Sequence, residues 1–265
     1  MSRFNDFDMN KWKELSDIET GSLWIIDKRD NSGKHSGFYH GNFVPQIPRQ
    51  LIKRYTKKDE IVLDAFMGSG TTAYECETLH RNFIGIDIKP EMVDYVNKQL
   101  LDNTKNSFFC ITGDSSEAAV YEKINDHLLS INKSKVQLVI LHPPYFDILK
   151  FSDKKNDLSN APNLSKFLEL FGKVVQNTSC ILEKNRYLAI VIGDKYANSE
   201  WIPLGFYCMQ EAMKAGLTLK SIIVKNMEGN RAKQGKNDIW RYRALNSDYY
   251  IFKHEYILLF KKKGK

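Results

Sequence analysis

The chain has 265 residues, of which 42% are hydrophobic and 27% are charged, and its formal net charge is +7. This balance is typical of a soluble globular protein with a full core, and it excludes a mostly disordered or fibrous chain. The basic excess suits a polyanionic partner, although many Lys-rich proteins have none. No apolar run reaches the roughly 18 residues of a membrane-spanning helix, and the N-terminus lacks a signal peptide, so we expect no membrane partner.

The four cysteines lie far apart in the sequence and form no Cys-x-x-Cys pair. This pattern predicts reduced core thiols in a cytoplasmic protein, and not a disulfide or zinc framework. We therefore predict no metal site.

A regular alternation of short apolar strands with helices begins near residue 60. We predict strands at 60–66, 82–87, 107–113, 136–141, 187–193, 217–225 and 254–260. We predict helices at 71–80, 91–102, 116–130, 166–182 and 203–215. Strands separated by helices indicate βαβ units, and therefore a single doubly wound α/β fold. The last two strands lack a helix between them, so the seven-stranded sheet should be mostly parallel with an antiparallel last strand.

We interpret the whole chain, 1–265, as one domain. Residues 1–50 are mixed in character and predict an N-terminal arm. The segments 146–165 and 227–250 are too polar for the core, so we expect them to be exposed loops.

The first predicted strand runs into a glycine-rich loop, at the sheet edge where such folds bind ligands. The loop is Asp64-Ala65-Phe66-Met67-Gly68-Ser69-Gly70-Thr71-Thr72. Two glycines permit a tight turn, and the next helix offers free N–H groups to an anion. The loop lacks the Gly-Lys-Ser/Thr of a phosphate loop and the Gly-x-Gly-x-x-Gly of a dinucleotide site. Since Asp64 would repel a pyrophosphate, the loop favours a ligand with a small carboxylate and an ammonium group.

Acidic residues end the next two predicted strands. Asp87 follows the glycine-rich loop by about 20 residues, the spacing of a carboxylate that binds ribose hydroxyls. Asp114 and Ser115 end the third strand, where a carboxylate suits an adenine amino group. Each Asp alone could be a helix cap or a solvated turn. Together with the loop, they predict a ligand made of adenosine and an amino acid.

The fourth predicted strand runs directly into His142-Pro143-Pro144-Tyr145. Two prolines fix a rigid, extended turn and leave the Pro143 carbonyl free to accept a hydrogen bond. A carbonyl, a polar side chain and the Tyr145 ring suit a flat base with an exocyclic amine. The alternative is an ordinary turn that ends the strand.

These motifs together identify a family. DAFMGSGTT followed by HPPY resembles the amino-methyltransferases that use S-adenosylmethionine to methylate adenine N6 or cytosine N4 in DNA. The resemblance covers roughly residues 36–261, in the unpermuted order with the cofactor motif first. It implies a class I methyltransferase-like Rossmann fold and catalytic residues His142, Pro143, Pro144 and Tyr145. It also implies cofactor contacts from His40, Phe43, Pro45, Asp64, Phe66, Gly68, Ser69, Gly70, Thr71, Thr72, Asp87, Asp114 and Ser115.

One position departs from the family pattern, which has Asp, Asn or Ser where this chain has His142. A neutral imidazole offers one acceptor nitrogen and can still take an amine proton, whereas an imidazolium cannot. We therefore expect activity to fall at acidic pH. The alternative is that His142 is a spacer and that the backbone carbonyls act alone.

Two segments are candidates for target recognition. Segment 227–250 carries basic and aromatic residues that can contact phosphates and base edges, namely Arg231, Lys233, Lys236, Trp240, Arg241 and Arg243. An exposed basic hairpin is the alternative for this segment. Segment 146–165 follows the catalytic motif, and its Asp157-Leu158-Ser159-Asn160 resembles a family segment that lines the pocket.

The resemblance implies a site-specific DNA methyltransferase that acts on a flipped base in double-stranded DNA. Adenine N6 is slightly favoured over cytosine N4, because it is the commoner activity of the family. A cognate restriction endonuclease is a further expected partner. Two alternatives stay open, namely an RNA base amino-methyltransferase and a cofactor-binding subunit that has lost catalysis.

Overall fold

The computed structural model describes residues 4–39, 41–100, 105–227 and 237–264. Its strands are β1 (Leu23–Trp24), β2 (Ile61–Asp64), β3 (Asn82–Asp87), β4 (Phe108–Thr112), β5 (Val136–Leu141), β6 (Leu182–Ile192), β7 (Lys195–Ala197), β8 (Glu200–Ile202), β9 (Leu217–Asn226) and β10 (His254–Lys262). Its helices are α1 (Gln46–Tyr55), α2 (Thr71–Thr78), α3 (Pro90–Gln99), α4 (Ala118–Ser130), α5 (Leu164–Ile181), α6 (Leu204–Lys214) and α7 (Asn237–Leu245).

The central sheet has the strand order β1-β9-β10-β6-β5-β2-β3-β4. All neighbouring pairs are parallel except those of β10, which runs antiparallel to both β6 and β9. The mostly parallel, doubly wound sheet with a reversed last strand is therefore confirmed. The predicted count of seven strands was one too low within the described residues, because the two-residue strand β1 pairs with β9. Two residues are too few to show a hydrophobic period in the sequence.

Helices cover both faces of the sheet, which explains why its strands are continuously apolar. On β5, Leu138 and Ile140 face the core beneath α1, α2 and α3, whereas Val139 and Leu141 face α4, α5 and α6. Successive side chains of a strand point to opposite faces, so one apolar strand serves two cores.

The prediction that no helix separates the last two strands is wrong, because α7 lies between β9 and β10. Ile239 and Leu245 on α7 are exposed. The helix therefore has no stripe facing the core that would mark it in the sequence. The sequence also missed α1 at the end of the predicted arm, although Ile47, Leu51 and Ile52 pack its inner face.

Two further observations concern the chemistry of the chain. All four cysteines are free thiols, but only Cys76 and Cys208 are buried, so the prediction that all four lie in the core is wrong. In the parts of the chain that the structure describes, no helix has both the length and the apolar character needed to cross a bilayer.

Candidate active site

A cavity of about 840 Å³ opens at the carboxyl ends of the parallel strands. Predicted site residues that line it are Phe43, Phe66, Gly68, Thr71, Asp87, Asp114, Ser115, His142, Pro143, Pro144 and Tyr145. Predicted cofactor residues that do not line it are Pro45, Asp64, Ser69, Gly70 and Thr72, and the predicted nucleic-acid contacts Trp240, Arg241 and Arg243 do not line it either. Four predicted residues lie outside the described part of the chain, namely His40, Arg231, Lys233 and Lys236. The fold thus brings the two predicted motifs to one cavity.

Asp64 lies beneath the glycine-rich loop and holds it in place. Its carboxylate accepts hydrogen bonds from Phe66 N over 2.9 Å and from Thr72 Oγ1 over 2.5 Å. The residue is only 1% exposed, and this burial raises the pKa of Asp64 to about 6. Asp64 therefore shapes the loop from below, one layer behind the cavity wall.

Asp87 joins the glycine-rich loop to the end of β3. Its two carboxylate oxygens accept hydrogen bonds from Gly68 N over 2.7 Å and from Lys89 N over 2.8 Å. Burial raises the pKa of Asp87, and the two N–H donors oppose that rise. Each carboxylate oxygen has a second lone pair, so Asp87 can still accept from a ligand in the cavity.

Asp114 links the end of β4 to segment 146–165. One of its oxygens accepts from Ser116 N over 2.8 Å, and the other accepts from Asn156 Nδ2 over 2.8 Å. Ser115 Oγ donates to Ala65 O over 2.6 Å, which ties the same turn to the glycine-rich loop. The ends of β2 and β4 are thus held together at the cavity.

Segment 146–165 lies across the side of the cavity that Asp87 and Asp114 line. Lys154 Nζ donates to the Ile88 carbonyl, and Asp157 caps the 3-10 turn Leu158–Asn160 by accepting from Ser159 N. Asp157, only 4% exposed, lines the cavity together with Leu158 and Phe151. This placement agrees with the expectation that the segment lines a pocket.

His142 lies at the end of β5 between two aromatic rings. The Phe43 ring meets it edge-on at 4.7 Å between centroids, and the Tyr145 ring does so at 5.7 Å. Burial lowers the pKa of His142 to about 4, an effect that Glu255 opposes and Lys225 reinforces. The imidazole is therefore neutral at pH 7 and keeps its acceptor nitrogen.

Tyr145 belongs to a buried polar network that the sequence did not predict. Its hydroxyl donates to Glu255 Oε2 over 2.7 Å, and Lys225 Nζ donates to Glu255 Oε1 over 3.0 Å. The Lys225 and Glu255 side chains are each 7% exposed, and both residues line the cavity. They are direct cross-strand partners in the β9–β10 register. Only the register could have revealed them, because 29 residues separate the two in the sequence.

Gly193 and Asp194, which follow β6, form the floor of the cavity beside Tyr145. A Cβ on Gly193 would lie 2.8 Å from Tyr145 Cε2, so only glycine admits the ring there. Asp194 accepts from Gly205 N over 3.0 Å and from Trp201 Nε1 over 3.0 Å. These two bonds fix the start of α6 and the β8 strand at the cavity edge.

The described part of segment 227–250 is mostly the exposed helix α7. Arg241 and Arg243 are exposed, and the Arg243 guanidinium lies 5.4 Å from the Trp240 ring. Arg241 and Arg243 lie two residues apart on this helix and therefore point in different directions. Residues two apart on a helix are separated by about 200°.

The fold and the two motifs at one cavity define a class I methyltransferase. The model of the N6/N4 methyltransferase family, described as DNA methylase, matches residues 5–98 and 136–265. The chain belongs to this family. Membership confirms the family that the motifs resemble, and it supports S-adenosylmethionine as the cofactor.

Several curated relatives are type II methyltransferases. The chain is 31% identical over 129 residues to M.BglI of Bacillus subtilis, covering 49% of this chain and 34% of the relative. It is 36% identical over 98 residues to M2.DpnII of Streptococcus pneumoniae, covering 35% and 33%. It is 48% identical over 82 residues to M1.MboII of Moraxella bovis, covering 29% and 32%. The matched parts span about a third of each of these relatives.

Solved structures share the fold at low sequence identity. A methyltransferase from Pyrococcus furiosus superposes with a TM-score of 0.51 at 11% identity, covering 87% of this chain and 88% of that one. TrmN from Thermus thermophilus also gives 0.51, at 14% identity, covering 83% and 49%. At these identities the likeness concerns the fold alone.

Proposed function

We propose that this protein transfers a methyl group from S-adenosylmethionine to an exocyclic amine of a base in DNA. One observation carries the proposal. A single cavity contains both the Asp87 and Asp114 carboxylates and the turn His142–Tyr145. A cavity of about 840 Å³ lies within the range of sites that enclose ligands of nucleoside size or larger.

The cofactor half suits S-adenosylmethionine, which supplies an electrophilic methyl group when bound. Asp87 has lone pairs left for ribose hydroxyls, and Asp114 lies at the neighbouring strand end, where it can accept from an adenine amino group. Phe66 and Leu158 add apolar wall for a purine ring. Gly68, with φ of +53°, keeps the loop close to the ligand without a side chain in the way.

The base half has the groups needed to orient an amine. The neutral His142 imidazole and the Pro143 carbonyl can each accept one amine proton, which turns the nitrogen lone pair toward the methyl donor. The Tyr145 ring lines the same region and can stack on the base. The half-enclosed cavity requires a base that is flipped out of its duplex or already unpaired.

The proposal also covers the nucleic-acid substrate and the protein partner. We take double-stranded DNA as substrate and adenine N6 as the first amine to test. Segments 146–165 and 227–250 would contact the duplex, with Arg241 and Arg243 neutralising phosphates. A cognate restriction endonuclease is part of the proposal, because the related HindVI Mod subunit of Haemophilus influenzae is named as part of a type III restriction-modification enzyme. In a prokaryotic cell, a DNA substrate entails a cytoplasmic location.

The deciding experiment measures transfer of labelled methyl groups to duplex DNA and to RNA, followed by mass spectrometry of the nucleosides. We expect N6-methyladenine from DNA. Tyr145→Ala should abolish transfer and leave cofactor affinity nearly intact, whereas Tyr207→Phe, on α6 and outside the cavity lining, should change neither. Label in RNA alone, or cofactor binding without transfer to any polymer, would overturn the proposal.

A further inference from the structure

The two hydrogen bonds that link Lys225 and Tyr145 converge on the Glu255 carboxylate, which accepts both. Lys225 Nζ can only donate, and its partner is Glu255 Oε1 at 3.0 Å. An ion-paired carboxylate can only accept, so Glu255 Oε2 takes the single proton of the Tyr145 hydroxyl over 2.7 Å. The single hydroxyl proton of Tyr145 is therefore used in its hydrogen bond to Glu255.

The use of the Tyr145 proton in the bond to Glu255 decides the protonation of His142. The Tyr145 oxygen lies 3.4 Å from His142 Nε2. Because the hydroxyl proton is committed to Glu255, the proton in this second contact belongs to Nε2. A neutral imidazole carries one proton, so its Nδ1 is then bare. No hydrogen bond from the described residues reaches Nδ1, and His142 lines the cavity.

We infer that Lys225, Glu255 and Tyr145 form a relay that fixes His142 in the Nε2–H tautomer and leaves Nδ1 as the acceptor for the target amine. The inference rests on the proposed function for its last step and on the hydrogen bonds alone for the tautomer. Lys225 and Glu255 are positioning residues here, since they act through Tyr145. The relay gives an imidazole the acceptor role that the family pattern assigns to Asp, Asn or Ser.

The relay is built into the sheet. Lys225 and Glu255 are opposite each other in the β9–β10 register, and both are almost fully buried. Hydrogen bonds that are shielded from water are stronger and hold one arrangement, whereas exposed pairs exchange with solvent. The second ring contact of His142, edge-on from Phe43, restricts rotation of the imidazole.

The test is the tautomer of His142, measured by NMR on protein with ¹⁵N-labelled histidines. The chain has six histidines, and the His142→Asn variant identifies the signal to follow. We expect wild type to show a protonated Nε2 and a bare Nδ1. In Glu255→Gln, Lys225 takes the amide oxygen and the amide NH₂ donates to Tyr145, so the hydroxyl proton turns to His142 Nε2. The tautomer should switch to Nδ1–H.

Two further variants complete the design. Tyr145→Phe removes the middle of the relay, so His142 should show a mixture of tautomers. Glu60→Gln is the matched control, because Glu60 also pairs with a cation, Arg186, but at the start of β2 and away from the cavity. It should leave the His142 signals unchanged. In methyl transfer, Glu255→Gln should lower kcat by about tenfold or more, the effect of losing one hydrogen bond to the reacting amine.

The possible results test the tautomer of His142 and its role in methyl transfer independently. A wild-type Nδ1–H tautomer, or an unchanged tautomer in Glu255→Gln, would overturn the relay whatever the activity. A switched tautomer with an unaltered kcat would overturn the acceptor role of Nδ1. The expected tautomers in a protein that methylates no polymer would leave the relay standing and refute the proposed function.

Discussion

Replacing Gly70 tests whether the glycine-rich loop is shaped by close packing as well as by backbone conformation. Gly70 has φ of +89°, and an added Cβ would lie 2.8 Å from Val96 Cγ2 and 3.1 Å from Tyr74 Cζ. Gly216 provides a matched control. Its φ is +83°, but an added Cβ would meet no atom of the described residues within 4 Å.

The expected costs follow from these two geometries. Left-handed backbone costs an alanine about 1–2 kcal/mol, and this applies to both positions. Forcing a methyl group into a filled space costs about 1–3 kcal/mol more, and this applies to Gly70→Ala alone. We expect Gly216→Ala to lower the free energy of unfolding by about 1–2 kcal/mol and Gly70→Ala by about 2–5 kcal/mol.

Urea unfolding measures both free energies, and calorimetric titration with S-adenosylmethionine measures the functional effect. Gly70→Ala should weaken cofactor binding, because Val96 and the loop must move apart to admit the methyl group. Gly216→Ala should bind as wild type does. Equal destabilisation by the two variants, with equal cofactor affinity, would show that the packing of Val96 against Gly70 does not constrain the loop.

The remaining predictions concern the cavity and α7. Asp87→Ala should weaken cofactor binding by about 1.5–3 kcal/mol in calorimetry, with exposed Asp126→Ala as the control, and unchanged affinity would remove Asp87 from the site. The pKa of His142 is lowered to about 4, so methyl transfer should persist at pH 5 and be lost only as the pH falls toward 4. The pKa of His142 is about 4 in the folded protein and about 6.5 when the chain is unfolded, so the unfolded state binds the proton first as the pH falls. The contribution of His142 to the free energy of unfolding should therefore be complete above about pH 6.5 and be lost as the pH falls toward 4. Loss of transfer near pH 6.5 would contradict the burial of the imidazole. Replacing Arg241 and Arg243 with Ala should flatten the salt dependence of DNA binding by about one unit of slope for each phosphate that is no longer neutralised. Superimposable salt titrations would make α7 an ordinary solvated helix.

Most of the sheet was predictable because its strands are strongly apolar and its turns are marked by glycine and proline. β5 was predicted at its observed bounds, and the carboxyl ends of β2, β3 and β4 carry the predicted Asp64, Asp87 and Asp114. Among the missed elements, α1 has a buried inner face, whereas β1 and α7 leave weak patterns in the sequence. β1 has two residues, and α7 exposes its apolar side chains.

The part of the cavity around His142 was predictable only where its residues are consecutive. The turn His142–Tyr145 follows one strand, so the sequence shows it directly. Lys225 and Glu255 come together through pairing of β9 with β10, and Asp194 through the path of the chain after β6. Pairing register depends on packing over the whole sheet, which local patterns do not record.

The reversed last strand also determines how the chain between β9 and β10 can change. The two strands enter and leave that segment side by side, and Met227 N donates to Lys253 O over 2.8 Å where they part. Because the end-to-end distance is set by this strand pair, insertions there cost little, about 0.6 kcal/mol of closure entropy for each doubling of length. The segment can therefore grow, shrink or be exchanged for an unrelated sequence while Lys225 and Glu255 keep their register. Length variation at this point changes the chain between Met227 and Phe252, which both line the cavity, and leaves the residues inside the cavity in place.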